Sequence, residues 1–532
     1  MVIISTSVWL PCLNSFIHSL IRRLKEYYRR QKEYYFIYKH RLLFAVVLAF
    51  SRALTNYAII NVLAWYFTDH GEDLVVSSIM SNIHGSLSSV LVVLMANAAD
   101  SYVGRFYTIL FSNTAYIGGL MLLLMFNPYD VKWLVVILLV LLALGTSGDK
   151  LLQEVLTDLV NDLDKSEAQT KERSIARAEI WPRIAKVVAA ICAMLFVSQI
   201  GWGIQILICI VFMTICLIIF CTGHNSYHQG QLTERPVGVF FRVLHMGIKE
   251  LLIKRKSWDY AGKITTIQWV MSLLRMFPMW EVFLVVYLIS ATGSTFFFEQ
   301  YNNLNTNNQI AVQIYGLIKD VSSFAIPFLY PWICGLRKNN EKVKVGVGML
   351  CGIVSCVFAW QLEVQRLKRV NNLDDKNANT SLSFLWLVPQ FCVIGGMEGL
   401  TGEGLLNFYK SQMKEETLHS YGEEYIEFVT GFGTFLNIIL ILIFKSRLGW
   451  FGNTVNESRL DKYYLHLVFV GLVNFIIYCL FARFYYKDAD RHQDLMNDDL
   501  INQRLDELLP CDNREQDNQP LANDEQVQEN QL

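Results

Sequence analysis

The sequence predicts an all-α membrane protein with twelve transmembrane helices in two six-helix halves. Of its 532 residues, 53% are hydrophobic and only 17% are charged, whereas a soluble domain carries about 25% charged residues. The apolar residues form long continuous runs, and a helix needs about 20 such residues to cross the hydrocarbon layer. Alternating polarity, which is typical of a transmembrane barrel, is absent from these runs. A soluble enzyme and a single-pass receptor are therefore excluded, and a net charge of −1 gives no case for a nucleic-acid partner.

The apolar runs give the order of the predicted helices. A long basic connection separates the sixth run from the seventh, so the chain divides into two sets of six, as in two packed helical halves. The predicted helices are 42–67, 75–99, 106–126, 131–153, 180–198, 202–222, 274–298, 312–336, 344–362, 383–406, 424–445 and 464–486.

The charged segments outside the helices complete the predicted domain organisation. The first segment, with the sequence IRRLKEYYRRQKEYYFIYKHR, is either an amphipathic arm on an anionic membrane surface or a basic flank that orients the first helix. The last segment is acidic and polar, which predicts a disordered cytosolic tail. The domains are an arm (1–41), an N-terminal half (42–222), a basic middle loop (223–273), a C-terminal half (274–486) and a tail (487–532).

The distribution of lysine and arginine predicts the orientation. Basic residues concentrate in the arm and in the even-numbered connections, which places both termini in the cytosol by the positive-inside rule. Two glycosylation sequons, at Asn379 and Asn456, fall in predicted outer loops. We expect a multi-pass protein of the plasma membrane rather than the vacuolar membrane.

Motifs of catalysis and metal binding are missing from the sequence. The eleven cysteines form no CxxC pair and no zinc-site spacing. The sequence also has no P-loop, HExxH or GxSxG motif. We therefore predict that the protein is not an enzyme and needs no metal or cofactor.

Eight short motifs, in order along the chain, resemble those of one transporter family. DSYVGRFYTI (100–109) follows the second predicted helix and LALGTSGDK (142–150) ends the fourth. GGMEGLTGEGLLNFY (395–409) spans the tenth and NTVNESRLDKYY (453–464) leads into the twelfth. Together they resemble the plant nitrate/peptide transporter family, among the proton-dependent oligopeptide transporters of the major facilitator superfamily. The resemblance implies a major facilitator fold and solute transport by alternating access. The remaining motifs are GWG (201–203), PMW (278–280), STFFFEQ (294–300) and LEVQRLKRV (362–370).

Arg52 is predicted to lie near the middle of the first helix. It is ten residues from the predicted helix start, about 15 Å at 1.5 Å per residue. Ionisable groups at this depth are costly and are by default functional candidates; the alternative is a structural partner of a nearby backbone group or carboxylate. Relatives in the resembling family carry a Glu-x-x-Glu-Arg or Glu-x-x-Glu-Lys motif here, whose glutamates take up the coupling proton. In this chain Leu48 and Ser51 replace them, so we expect weakly proton-coupled or facilitative transport.

Lys150 and Glu398 match ionisable positions of the same family, in its fourth and tenth helices. We expect Glu398 to pair with Arg52 or Lys150 across a central cavity. Two cations against one carboxylate predict a net positive cavity and a small anionic or carboxylate-bearing solute, such as nitrate, a peptide or a hormone-like metabolite, with protons an open question. The predicted lining is Arg52, Asn56, Lys150, Trp280, Phe297, Gln300 and Glu398.

Asp100 and Arg105 flank Gly104 in the turn between the second and third helices. We expect their opposite charges to connect helix ends and to act in gating; the alternative is a capped turn. Lys319 and Asp320 are expected to form a structural pair, and His84 to be a satisfied polar residue.

Two departures from the family's pattern weaken the resemblance. The aromatic stretch of the fifth helix is replaced by ARAEIWPRIAK (176–186), and the seventh helix has Ser290 and Ala291 in its cavity-facing stretch. The missing glutamates, the altered fifth helix and the extra N-terminal arm leave open the alternative of a membrane sensor or regulator that does not transport. Solute flux through a vesicle that contains only this protein would distinguish the two functions.

Overall fold

The computed structural model describes ten stretches of the chain, and within them it is helical without strands. The predicted arm before residue 39 and most of the middle loop lie outside them, as do Asn379 and the tail beyond residue 483. The described residues are 39–125, 132–165, 183–197, 200–222, 260–302, 304, 312–333, 341–370, 383–412 and 422–483.

The N-terminal half contains helices α1 to α6 in the predicted order. Helix α1 is followed by a 3₁₀ turn, Ile60–Val62, and a short helix, Leu63–Asp69. The helices are α1 (Lys39–Ala58), α2 (Leu74–Ala98), α3 (Arg105–Met125), α4 (Lys132–Lys165), α5 (183–192) and α6 (Trp202–Thr222).

The C-terminal half contains α7 to α12. Helix α7 begins at Tyr260, within the predicted middle loop, and a short helix, Phe296–Asn302, follows its C-terminal end. The helices are α7 (Tyr260–Gly293), α8 (Gln313–Ile333), α9 (Glu341–Val370), α10 (Val388–Gln412), α11 (Gly422–Ile443) and α12 (Leu460–Arg483).

Nine of the described helical segments are long and apolar enough to cross a membrane. Helices α5, α8 and α10 do not belong to these nine. Helix α8 contains Lys319 and Asp320, and α10 contains Glu398 and Glu403. Charged side chains inside a membrane protein normally face its interior, so α8 and α10 are the helices expected to carry internal polar groups.

The helices pack within each half and also between the halves. In the N-terminal half, α4 packs against α1, α2 and α3; in the C-terminal half, α10 packs against α8 and α9. Helix α2 packs against α11, and α1 contacts α8, so the two halves meet along these pairs. The chain divides into two compact units, Met1–Cys479 and Leu480–Leu532. Every contact discussed below lies within the first.

Close packing of α3 on α4 depends on two glycines. A Cβ atom at Gly145 would lie 2.5 Å from Tyr116 Cβ. A Cβ atom at Gly148 would overlap Ser112 and lie 3.2 Å from a guanidinium nitrogen of Arg52. These glycines therefore leave the space into which the arginine of α1 fits. Small residues serve this purpose in membranes, where close contact replaces the hydrophobic effect between helices.

Candidate functional site

Arg52 is enclosed within the N-terminal half. Only 1% of its side chain is exposed. Its Nε donates to Asp149 Oδ1 at 2.5 Å, one terminal nitrogen donates to Asn113 Oδ1 at 3.1 Å, and the other donates to the Gly145 carbonyl. Its guanidinium also lies over the Tyr116 ring, 5.6 Å from the centroid. Because each of its side-chain nitrogens is hydrogen-bonded within this half, Arg52 holds Asp149 in position and is not itself available to a solute.

Asp149 is the more accessible member of this pair, with 30% of its side chain exposed. Its second oxygen accepts a hydrogen bond from Asn56 Nδ2 at 2.7 Å, and Tyr116 donates to Asn56 Oδ1 at 2.6 Å. The N-terminal half therefore presents a carboxylate and an amide at this depth.

Glu398 pairs with Lys319 in the C-terminal half. Lys319 Nζ lies 3.1 Å from Glu398 Oε1 and 3.2 Å from Ser294 Oγ, and Ser290 Oγ donates to the same Glu398 oxygen. Both side chains are partly accessible, at 17% for Lys319 and 22% for Glu398. The expected pairing of Glu398 with Arg52 or Lys150 is therefore replaced by a pairing within the C-terminal half.

Asp320 contacts the opposite half. Its carboxylate accepts a hydrogen bond from the Tyr57 hydroxyl of α1. The expected structural pair of Lys319 and Asp320 is not what the structure shows, because adjacent helical residues point in different directions. The Lys319 side chain contacts α10, and the Asp320 side chain contacts α1.

Lys150 crosses between the halves at their inner end, the end predicted to face the cytosol. Its Nζ lies 3.3 Å from Glu427 and 3.7 Å from Glu423, both on α11. Ser89 on α2 also donates to Glu427, at 3.2 Å. Lys150 therefore forms a contact between helices at this end and does not lie beside Arg52 as part of one cation cluster.

The predicted excess of positive charge is not found among the described residues. The sequence predicts two cations and one carboxylate, whereas tertiary packing brings further acidic residues to these groups. The contacts described so far bring together three cations, Arg52, Lys150 and Lys319, and five carboxylates, Asp149, Asp320, Glu398, Glu423 and Glu427.

Trp280, Phe297 and Gln300 take part in none of these ion pairs. Trp280 packs near the inner end, its ring centroid 5.6 Å from that of Tyr425. Phe297 is fully buried. Its ring centroid lies 5.9 Å from that of Phe391 and 5.7 Å from that of Tyr464. Apolar burial and aromatic packing, which sequence cannot separate from solute contact, account for these two positions.

Gln300 belongs to a buried polar network at the end of the C-terminal half that is predicted to face away from the cytosol. It donates to Glu363 at 3.0 Å, and Glu363 forms a fully buried ion pair with Arg366 at 2.7 Å. Arg366 also donates to the Asn456 side chain and to the Val455 carbonyl. One predicted lining residue and one predicted glycosylation site thus take part in structural hydrogen bonding.

Asp100 and Arg105 contact each other as predicted, with Arg105 Nε donating to Asp100 Oδ1 at 2.9 Å. The turn between them contains Gly104 at φ +90°, a conformation that favours glycine. Arg105 also pairs with Asp158 and Glu154 of α4. These contacts connect α2, α3 and α4, all in the N-terminal half.

His84 is a buried polar residue, as expected. Its Nε2 lies 3.3 Å from Thr146 Oγ1, which is 2.8 Å from Ser88 Oγ. In α5, the Arg183 guanidinium lies over the Phe324 ring of α8, 4.2 Å from its centroid.

Sequence reasoning missed Asp149, Lys319 and Asp320 as site residues. From sequence, Asp149 has no role of its own, and the other two are expected only as a structural pair. Their position inside apolar runs was the available signal, since each ionisable residue at membrane depth is a candidate.

Comparison with known proteins finds a matching family model and similar plant proteins. The sequence model of the POT family matches residues 187–451. Protein NRT1/PTR FAMILY 5.6 of Arabidopsis thaliana is 23% identical over 542 aligned residues, covering 85% of this chain and 92% of that protein. Protein NRT1/PTR FAMILY 5.1 of the same plant is 24% identical, covering 83% and 89%.

Solved structures share the fold. An auto-inhibited POT family peptide transporter superposes with a TM-score of 0.66 at 14% identity, covering 84% of this chain and 97% of that one. The POT family transporter PepTSo gives 0.64 at 15% identity, covering 84% and 98%. A POT family transporter in complex with 5-aminolevulinic acid gives 0.58 at 14% identity, covering 84% and 96%.

Proposed function

The chain belongs to the POT family of membrane transporters, and we propose that it carries a small, carboxylate-bearing solute by alternating access. One observation supports the proposal above the others. Polar and charged side chains gather where the two halves meet, with Asp149 presented from one half and Lys319, Asp320 and Glu398 from the other. Such groups are costly at membrane depth and are retained where a polar solute must pass.

The proposed solute class follows from the accessible cation. Arg52 is enclosed, whereas the Lys319 ammonium is partly exposed and already holds a carboxylate, that of Glu398. A solute carboxylate has the chemistry needed to take that place. Because carboxylates outnumber cations among the paired groups named above, binding must also bring a compensating positive charge. This requirement favours a peptide or another balanced carboxylate over bare nitrate.

Alternating access would require the halves to separate at one end at a time. At the inner end they are joined by Lys150 and Glu427, 3.3 Å apart. At the outer end Thr68 donates to Glu299 at 2.8 Å, and the Leu74 amide donates to the Asn453 carbonyl at 2.9 Å. We infer that these contacts break in turn as the halves rock.

The first helix of this chain lacks the two glutamates that take up the coupling proton in the resembling family. Leu48 carries no ionisable group, and Ser51 donates its hydroxyl hydrogen bond to the Leu48 carbonyl of its own helix at 2.8 Å. If transport is coupled to protons, the proton binds elsewhere.

The test is uptake into proteoliposomes that contain only this protein. The probes are nitrate, glycylglycine, 5-aminolevulinic acid and indole-3-acetate, each at two pH values and with protein-free vesicles as the control. We expect saturable uptake of at least one carboxylate and little uptake of nitrate. Absence of flux for every probe, with binding retained, would favour the sensor or regulator function instead.

A further inference from the structure

We propose that the buried ion pair of Glu363 and Arg366 couples the two contacts that join the halves at the outer end, the end predicted to face away from the cytosol. The two contacts then form and break together, as one gate. Glu363 and Arg366 are positioning residues in this role, because their described contacts lie within the C-terminal half and they act through the segments that they hold. This inference rests on the proposed function, since it concerns how one end of an alternating-access transporter closes.

Two separate segments of the C-terminal half reach the N-terminal half at this end. Glu299, in the short helix that follows α7, accepts a hydrogen bond from Thr68 at 2.8 Å. The Asn453 carbonyl, in the loop 449–459 before α12, accepts a hydrogen bond from the Leu74 amide at 2.9 Å. The two acceptors lie far apart in the chain, so only the tertiary structure can make their movements depend on each other.

Each of these contacts is weak by itself. Thr68 Oγ1 also lies 3.0 Å from the Trp65 carbonyl and 3.1 Å from the Ala64 carbonyl of its own helix, so its hydroxyl keeps an acceptor when Glu299 moves away. Leu74 begins α2, and an amide in the first turn of a helix has no partner within that helix. Water can therefore replace its acceptor. Because one hydrogen bond contributes little net free energy, a closed end is held better by contacts that open jointly.

The ion pair is a common anchor for both segments. Gln300 of the short helix donates to Glu363 at 3.0 Å. Arg366 donates to the Asn456 side chain and, at 3.1 Å, to the Val455 carbonyl, both in the loop 449–459. The short helix and the loop are thus each fixed to α9, a few positions from the acceptor that reaches the opposite half.

The geometry of the pair suits it to transmit a displacement. Glu363 and Arg366 are both 0% exposed and lie one turn apart on α9. Two guanidinium nitrogens donate to the two carboxylate oxygens, at 2.7 and 3.0 Å. A bidentate pair fixes the orientation of both side chains, and a buried charge that loses its partner is strongly destabilised. Movement of the short helix therefore either moves the loop with it or breaks buried hydrogen bonds.

Aromatic packing supplies a second connection between the same segments. The Phe296 ring of the short helix stacks on the Phe451 ring of the loop, with centroids 5.3 Å apart, and both rings contact Tyr463. Stacked rings can slide past each other, whereas hydrogen bonds to a bidentate ion pair are directional. We therefore assign the coupling to the ion pair, and Phe451→Leu tests the aromatic route.

Two substitutions cut the network and leave the ion pair itself in place. Gln300→Leu removes the hydrogen bond from the short helix to Glu363, together with the one that Gln300 accepts from Gln390. Both guanidinium contacts of Glu363 remain. Asn456→Leu removes the side-chain link between Arg366 and the loop, and it serves as the second cut if Gln300→Leu does not fold.

The matched control is a buried hydrogen bond of the same half that involves neither segment. Asn474 of α12 is buried and donates to the Val282 carbonyl of α7 at 2.9 Å. Asn474→Leu therefore removes a comparable bond. Any effect of general destabilisation should appear in this variant as well.

The measurement is hydrogen–deuterium exchange of the purified, solute-free, full-length chain in lipid nanodiscs. Exchange reports local opening, and the Leu74 amide, resolved by fragmentation, reports its own bond to the loop. Thr68→Val perturbs the other contact. In the wild-type background we expect it to speed exchange of the Leu74 amide about two- to tenfold, as for loss of one hydrogen bond.

The backgrounds then identify the route. In Gln300→Leu or Asn456→Leu, Thr68→Val should no longer change the rate at Leu74, because the two contacts already open separately. In Asn474→Leu and Phe451→Leu the effect of Thr68→Val should persist.

Three results would overturn the inference. An unchanged Leu74 rate in Thr68→Val would show that the contacts open independently. An effect that survives both network cuts would place the coupling in the chain between Thr68 and Leu74, and one lost only in Phe451→Leu would place it in the stacked rings.

Uptake into proteoliposomes separates this inference from the proposed function. Gln300→Leu should lower the maximal rate of solute uptake and leave solute affinity near that of the wild type, since the pair acts on the gate. Wild-type uptake rates in Gln300→Leu would count against the gate. Absence of uptake by the wild type would count against the proposed function, whereas the exchange experiment needs no solute and would still test the coupling.

Discussion

Asp149 changes the role of the arginine beside it. From sequence, Arg52 is predicted to line the cavity and bind the solute. In the fold, Asp149 of the same half balances its charge, and all of its side-chain nitrogens are hydrogen-bonded. The groups left accessible at this depth are Asp149 and Asn56. At the residue scale, Arg52 is a positioning residue that fixes a carboxylate at the interface.

Substitution of the two predicted cations should therefore have different effects. We expect Arg52→Gln to reduce the amount of folded protein and its thermal stability, because breaking one partner of a buried pair typically costs about 3–5 kcal/mol. Lys150→Gln should leave stability close to that of the wild type, since Lys150 is 37% exposed and exposed pairs contribute little. The measurement is fluorescence-detected size exclusion with a thermal ramp, with Lys186→Gln at an exposed position as the control. Equal stability of Arg52→Gln and Lys150→Gln would contradict this assignment.

At the scale of elements, α4 organises the N-terminal half. Its glycines admit α3 and Arg52, while Asp149 and Lys150 point in different directions, one toward α1 and the other toward α11. One helix thus supports the site and also contacts the opposite half. In the C-terminal half α10 has a comparable position, with α8 on one side and α9 on the other.

A glycine substitution tests the packing of α3 on α4. In Gly148→Ala, the new methyl group would overlap Ser112 and approach Arg52, so α3 or the arginine must shift. Overpacking of this kind costs about 1–3 kcal/mol, and we expect a lower thermal midpoint and weaker solute binding. Gly402→Ala on α10 is the matched control, because nothing lies within 4 Å of its Cβ position. Equal stability of the two variants would argue against close contact at Gly148.

At the scale of the whole transporter, contacts between the halves occur at both ends. The inner contact, Lys150 with Glu427, is partly exposed, so it contributes little stability, about 0–1 kcal/mol. Such a weak contact suits a gate, because a difference of this size shifts a two-state equilibrium without locking it.

Charge exchange tests the inner contact. Lys150→Glu and Glu427→Lys should each raise the labelling rate of a cysteine placed at the inner end of α4, because like or unpaired charges open that end. The double exchange should restore a rate near that of the wild type, since it re-forms the pair. Failure of the double variant to recover, with both single variants folded, would show that the contact does not join the halves.

Glycosylation tests the predicted orientation. Both sequons were assigned to the outer side, but the Asn456 side chain accepts a hydrogen bond from the buried Arg366. We therefore expect Asn379→Gln to remove a glycan-dependent mobility shift in a eukaryotic host, and Asn456→Gln to leave it unchanged. Terminal tags should be accessible only after permeabilisation. Tags that are accessible on intact cells would overturn the orientation.

The sequence alone determined the helices and the family of this protein. Runs of apolar residues of membrane-crossing length specify helices because backbone polar groups must be satisfied inside the bilayer. The motifs from 100–109 to 453–464 are local, so their order could be read directly, and the resulting POT assignment is confirmed by the comparisons. The turn at Asp100 and Arg105 was predictable for the same reason, since both residues lie close together along the chain.

Only the tertiary structure decided which charges meet. Arg52 is paired with Asp149, 97 positions away in the chain, and Lys319 with Glu398, 79 positions away. The direction of each side chain depends on the rotation of its helix and on which helix packs beside it. A difference of one position along a helix turns the side chain by about 100°, so Lys319 and Asp320, though adjacent in sequence, contact different helices.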